Sequence, residues 1–165
     1  MVRATKNDLI FLLCILILLC SFQTTTCAQA IKLWEEKNEK KADESTEVKL
    51  MNQRPPISKI DNTLNNLKIC EVLSLSTNSI DRMTSLSGMI SLRILSIGRN
   101  NLKKIEKLED VSGTLEQLWI SYNQVATLDG LSSLTKLTTL YCSNNLIKSF
   151  SELDKLVSRQ QSLFL

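Results

Sequence analysis

The sequence predicts an α/β solenoid: short parallel strands on one face, turns or short helices on the other, and a helix closing the N-terminal end. Three observations carry this reading: a recurring asparagine, an apolar frame around each copy of it, and a helical stretch ahead of the first copy. Asn78, Asn100, Asn123 and Asn145 stand 22, 23 and 22 residues apart. Eight positions before each lie Cys70, Leu92, Leu115 and Leu137; five before, Leu73, Leu95, Leu118 and Leu140; three before, Leu75, Ile97, Ile120 and Cys142. Two positions after lie Ile80, Leu102, Val125 and Ile147; five after, Met83, Ile105, Leu128 and Phe150; eight after, Leu86, Leu108, Leu131 and Leu153. Six apolar columns in four rows define a leucine-rich repeat, whose units bury their apolar side only against one another.

The elements follow in chain order. Leu9 to Phe22 is an apolar run of fourteen residues, preceded by Arg3 and Lys6 and followed by Ala28-Gln29-Ala30. That pattern is a signal-like leader with a small-x-small cleavage site, and it is short of the roughly twenty residues that a membrane span needs. Residues 1–27 are therefore set apart as a leader. Ala28 to Lys41 reads as a helix, with Ile31 and Trp34 on one face and Glu36 four residues ahead of Lys40. This is the expected N-terminal cap, Trp34 covering the open end of the core. Ala42 to Glu47 is polar and expected to be a loop, so residues 28–49 form the cap and residues 50–165 the repeats. A fainter first row has Leu50, Ile57, Ile60 and Leu64 or Leu67 in matching places and Pro55 where the asparagine would stand, as suits a terminal repeat.

The asparagine column has a backbone reason. Where each strand ends and the chain turns inward, amides and carbonyls are left that the sheet cannot pair. A carboxamide, with two donor hydrogens and an acceptor oxygen, can satisfy the turns above and below it. In the strands, side chains alternate. Four positions before the asparagine, the outward residues are Ser74, Ser96, Trp119 and Tyr141; two before, Ser76, Gly98, Ser121 and Ser143. On a face of small polar residues, Trp119 and Tyr141 are expected side by side, flanked by Val72, Ile94, Arg99 and Tyr122. Aromatic residues beside an arginine are the composition of a protein-binding hot spot.

Composition excludes several functions. The chain of 165 residues is 43% hydrophobic with a formal charge of +3, too small an excess to argue a nucleic-acid partner. It has no His, so imidazole catalysis and His-ligated metals are excluded. It has neither a Gly-rich phosphate loop nor a CxxC pair, and Cys70 and Cys142 occupy apolar columns as small hydrophobes. No catalytic residue, cofactor, metal site or small-molecule substrate is expected. The leader speaks for secretion, whereas unpaired core thiols and the lack of any Asn-x-Ser/Thr sequon speak against it.

From Ala28 to Leu156 the sequence resembles the axonemal outer-arm dynein light chain 1 family of leucine-rich-repeat proteins. The resemblance lies in Trp34-Glu35-Glu36-Lys37, Leu73-Ser74-Leu75-Ser76-Thr77-Asn78, Leu92-Arg93-Ile94-Leu95-Ser96-Ile97-Gly98-Arg99-Asn100-Asn101, Leu118-Trp119-Ile120-Ser121-Tyr122-Asn123 and Ser143-Asn144-Asn145-Leu146. It implies a non-enzymatic protein of the cytoplasm and ciliary or flagellar axoneme. Its implied partner is the motor unit of a dynein heavy chain, bound through the repeat sheet, with tubulin of the doublet microtubule as a second contact. Family members lack the apolar leader and continue past Leu156 with a further repeat and a C-terminal cap. Residues 2–23 and 157–165 are accordingly expected to be translated intron sequence, and the repeats to be C-terminally truncated: the codons open to Val2-Arg3, Phe22-Gln23 and Val157-Ser158 can match intron ends. The alternatives are a secreted or membrane-tethered ligand-binding protein and a phosphatase regulatory subunit.

Overall fold

The computed structural model describes residues 10–11, 24–152 and 154. The leader, apart from Ile10, Phe11 and Thr24–Cys27, lies outside the described residues, as do Leu153 and the segment 157–165. Helix α1 (Cys27–Asn38) is followed by five three-residue strands: β1 (Glu47–Lys49), β2 (Val72–Ser74), β3 (Ile94–Ser96), β4 (Gln117–Trp119) and β5 (Thr139–Tyr141). They form one parallel sheet in chain order, with Val48, Leu73, Leu95, Leu118 and Leu140 in register across it. Between strands the chain returns through 3₁₀ turns at Asn62–Asn66, Glu109–Val111 and Asp129–Leu131 or through irregular turns. The solenoid read from the asparagine period is the architecture found.

Parallel strands so short cannot bury their backbone by themselves. The core is instead the stack of leucine columns, in which Leu73, Leu95, Leu118 and Leu140 are fully or almost fully buried together with Cys70, Leu92, Leu115 and Leu137. At roughly 1.5–3 kcal/mol per buried aliphatic side chain, these columns are the main force holding the rows together. The last row departs from the pattern. Phe150, expected in the core column with Met83, Ile105 and Leu128, is 88% exposed, and Cys142 and Ile147 are only partly buried against the core. A residue in this column is covered by the row that follows it, and no further strand follows β5 among the described residues.

The N-terminal end also differs from expectation. Glu47 was expected to close a loop, yet it opens β1, so the repeats begin three residues before Leu50 and the sheet has one strand more than the four asparagines imply. Register identifies Val48, not Leu50, as the partner of Leu73, and the amide of Leu50 donates to the carbonyl of Ser74 at 2.7 Å. By strand register the asparagine position of this first row is Gln53; by the turn beyond, where the Ile57 amide donates to the Asn78 carboxamide, it is Pro55. The first row is two residues longer than its successors at that corner, which a count of apolar residues alone does not reveal.

The cap begins earlier and ends earlier than its apolar pattern indicates. Thr25 bridges Ile57 in parallel, and its amide donates to the Pro56 carbonyl at 3.0 Å. Thr26 and Gln29 cap α1 reciprocally: the Gln29 amide donates to the Thr26 hydroxyl and the Thr26 amide to the Gln29 side-chain oxygen. Cys27 and Ala30 are fully buried. Thr25, Thr26 and Cys27, counted in the sequence with the leader, thus pack and bond with the rest of the described fold. Cleavage after Ala30 would cut α1 in its first turn and take away its cap. Glu39 ends the helix at φ 53°, so Lys40 lies beyond it and no helical pair with Glu36 forms. Trp34 is half-buried against the core, in the place expected of it.

Candidate protein-binding face

The asparagine ladder fixes the edge of the sheet from which the face projects. The Asn100 side-chain oxygen accepts from the Ile80 amide at 2.9 Å, and its nitrogen donates to the carbonyls of Leu75, Ile97 and Gly98 at 3.1, 3.0 and 3.2 Å. Asn123 repeats this with the Leu102 amide and the carbonyls of Ile97 and Ile120. Asn145 does so with the Val125 amide and the carbonyls of Ile120 and Cys142, and Asn78 with the Ile57 amide and the carbonyls of Leu50 and Leu75. The expectation that each carboxamide serves the turns on both sides is thus corrected. Each serves its own turn and the preceding one, because the amide two residues after one asparagine donates to the carboxamide of the next row.

The residue ahead of each asparagine is left-handed: Thr77, Arg99, Tyr122 and Asn144 have φ of 58°, 54°, 60° and 57°. Such a backbone costs an ordinary side chain roughly 1–2 kcal/mol. It also breaks the strand alternation, so Arg99 and Tyr122 project beside the serine column. The amides of Thr77, Arg99 and Tyr122 are held by the carbonyls of Gly98, Ser121 and Ser143. The pattern of side chains in the sequence locates this column but holds no sign of its handedness.

Trp119 and Tyr141 occupy equivalent places on neighbouring strands and are 41% and 49% exposed. Their ring centroids are 5.3 Å apart, but the planes cross at 80°, so the pair is edge-to-face and not stacked side by side. Edge-to-face contact aligns the positive edge of one ring with the negative face of the other and is worth about 0.5–1.5 kcal/mol. The Trp119 indole N–H donates to the Gln117 side chain at 3.3 Å. Arg99 lies over the Tyr122 ring with its guanidinium carbon 4.3 Å from the centroid. Val72 and Ile94 face each other in register, half-buried, on the neighbouring rows. The six expected residues thus form three neighbouring pairs, Trp119 with Tyr141, Arg99 with Tyr122 and Val72 with Ile94. Ser74, expected to be exposed on the sheet face, is buried between Lys49 and Ser96.

Pattern counting passes over one charged feature of this face. Arg93 reaches Glu71 at 3.5 Å and Glu116 at 2.9 Å, bridging three rows along the edge where the strands begin. The Arg93 hydrogen bond holds the Glu116 carboxyl below its ordinary range. The pairing was legible only as a charge repeated at one position of the row. Among the described residues no group of Cys, Asp and Glu is placed to hold a metal ion.

The stacked leucine rows, the parallel sheet and the asparagine ladder define a leucine-rich-repeat fold. Residues 114–155 match the family described as leucine-rich repeats, in two copies. Among solved structures, internalin C2 of Listeria monocytogenes is 28% identical, with a TM-score of 0.57 over 69% of this chain and 48% of its own. The Drosophila melanogaster SNF/U2A′ complex contains a chain with the same fold, with a TM-score of 0.56 and 23% identity over 72% of this chain and 70% of that one.

Within that class the chain is similar to the dynein axonemal light chain 1 proteins. It is 52% identical to that of Danio rerio over 97 residues, 59% of this chain and 50% of the relative. The protein of Chlamydomonas reinhardtii is 52% identical over 99 residues, and that of Homo sapiens 49% over 95. The chain spans about half the length of these relatives.

Proposed function

We propose that this chain is a non-enzymatic axonemal dynein light chain that binds the motor domain of a dynein heavy chain through its repeat sheet. In that role it helps to regulate the outer arm of a cilium or flagellum, with tubulin as a further contact of the assembly. Its place of work is then the cytoplasm and the axonemal cytoskeleton. The observation that carries the reading is the Trp119–Tyr141 pair, exposed beside the small residues Ser96, Gly98, Ser121 and Ser143. Two amphipathic rings held rigidly by short strands offer large contact area at little cost in side-chain entropy. The names of the relatives support the dynein assignment. The embedding of Thr25 to Ala30 in the fold supports retention of that segment over its removal by a signal peptidase.

The test is co-purification with a heavy-chain motor domain. The Trp119→Ala, Tyr141→Ala double variant is expected to lose the heavy chain while its circular dichroism and melting temperature stay close to wild type, since both rings are half in solvent. Recovery of the heavy chain at wild-type yield by the double variant would move the binding face elsewhere. Recovery of a phosphatase catalytic subunit in place of a heavy chain would replace the reading altogether.

A further inference from the structure

We propose that Arg99, held over the ring of Tyr122, is an anchor for a carboxylate side chain of the partner that covers Trp119 and Tyr141. This rests on the reading of the sheet face as the binding face and adds the chemistry of one contact within it.

The charges of the face are arranged unevenly. Along the edge where strands begin, Arg93 is neutralised within the chain by Glu71 and Glu116. At the opposite edge, the residues one and two positions ahead of each asparagine are Ser76-Thr77, Gly98-Arg99, Ser121-Tyr122 and Ser143-Asn144. Arg99 alone of these carries a charge. The ion pairs among the described residues are Lys49 with Glu47 and Arg93 with Glu71 and Glu116, so Arg99 enters none of them. A partner lying on the two rings therefore meets a single uncompensated cation beside them.

That cation is also preorganised. Its guanidinium lies 4.3 Å from the Tyr122 ring centroid, which restricts a long side chain and leaves the N–H edge for a planar acceptor. Both residues sit in left-handed backbone, φ 54° and 60°, where Asn144 in the same column shows that an asparagine suffices. Bulky side chains in that conformation cost more than asparagine or glycine would, and such outliers gather at functional sites. A carboxylate matches the fork of the guanidinium in shape and its single charge in magnitude. A phosphate would bring a second negative charge that nothing in the adjoining positions offsets.

Binding of the full chain to a heavy-chain motor domain, titrated at two salt concentrations, tests this. Arg99→Gln is expected to weaken binding about tenfold or more, as loss of a charge-assisted hydrogen bond does, and to flatten the salt dependence. Arg99→Lys should restore only part of the loss, because an ammonium cannot bind both carboxylate oxygens in a fork. Lys59→Gln, an exposed cation outside the sheet, should bind within about twofold of wild type, being a change of one remote screened charge. Wild-type affinity and salt slope for Arg99→Gln, with binding lost in Trp119→Ala, would overturn the anchor and leave the face standing. Wild-type binding by the Trp119→Ala, Tyr141→Ala double variant would instead remove the face itself. Loss of Arg99 dependence after phosphatase treatment of the heavy chain would overturn the carboxylate in favour of a phosphate.

Discussion

Replacing Asn100 by Ala removes one rung from the middle of the ladder, and the structure decides which backbone groups suffer. The Leu75 carbonyl still accepts from Asn78, the Ile97 carbonyl from Asn123 and the Gly98 carbonyl from the Thr77 amide. The Ile80 amide has no such second partner, and Ile80 is fully buried. One bare buried amide costs about 1–3 kcal/mol, and the three shared bonds add about 0.5–1.5 kcal/mol each at most. The expected loss is about 2.5–7.5 kcal/mol, a large part of a domain stability of roughly 5–15 kcal/mol. Asn101→Ala, exposed and one place out of column, should change stability by less than about 0.5 kcal/mol. Urea titration followed by circular dichroism measures the difference, and amide exchange should show Ile80 losing more protection than its neighbours. Asn100→Asp sharpens the test: it keeps an acceptor for Ile80 but turns the other oxygen, charged, toward three carbonyls. Its pKa must rise in the folded state, so this variant should be less stable than Asn100→Ala at neutral pH and recover as pH falls and the carboxyl becomes a donor. Equal losses for Asn100→Ala and Asn101→Ala would refute the ladder as a source of stability.

Two further outcomes are expected. A methyl group on Gly130 would stand 1.7 Å from the Ile105 carbonyl oxygen, a backbone clash, so Gly130→Ala should lower stability by about 1–3 kcal/mol or more, whereas Gly98→Ala, 3.1 Å from the Ser121 carbonyl and needing only a small shift of it, should cost less; thermal melts compare them. Burial pushes the thiols of Cys27 and Cys70 from 9.0 up to about 11. A folded pKa above the unfolded one means that their contribution is complete below pH 9 and is lost as pH rises toward 11. Melting temperature should fall across that window, and less steeply for Cys70→Ala than for wild type.

The sequence by itself determined the solenoid, because a period of 22 or 23 residues with six apolar columns leaves no other way to bury those side chains. Alternation, which needs only local geometry, also placed Trp119 and Tyr141 outward on neighbouring strands, although Ser74 of the same column is buried. Apolar pattern did not reach the first row. Its strand is three residues of which only Val48 is buried, too short to show a period, and pairing with β2 is what makes it a strand. The cap was misjudged at both ends for a related reason: Thr25 and Cys27 are held by Pro56 and Asp61, more than thirty residues away in the chain. The direction of the asparagine bonds, the left-handed backbone of Arg99 and Tyr122, the crossing of the Trp119 and Tyr141 rings and the exposure of Phe150 were decided by tertiary structure alone. Each depends on where the neighbouring row lies relative to its own, and the pattern within one repeat does not record that placement.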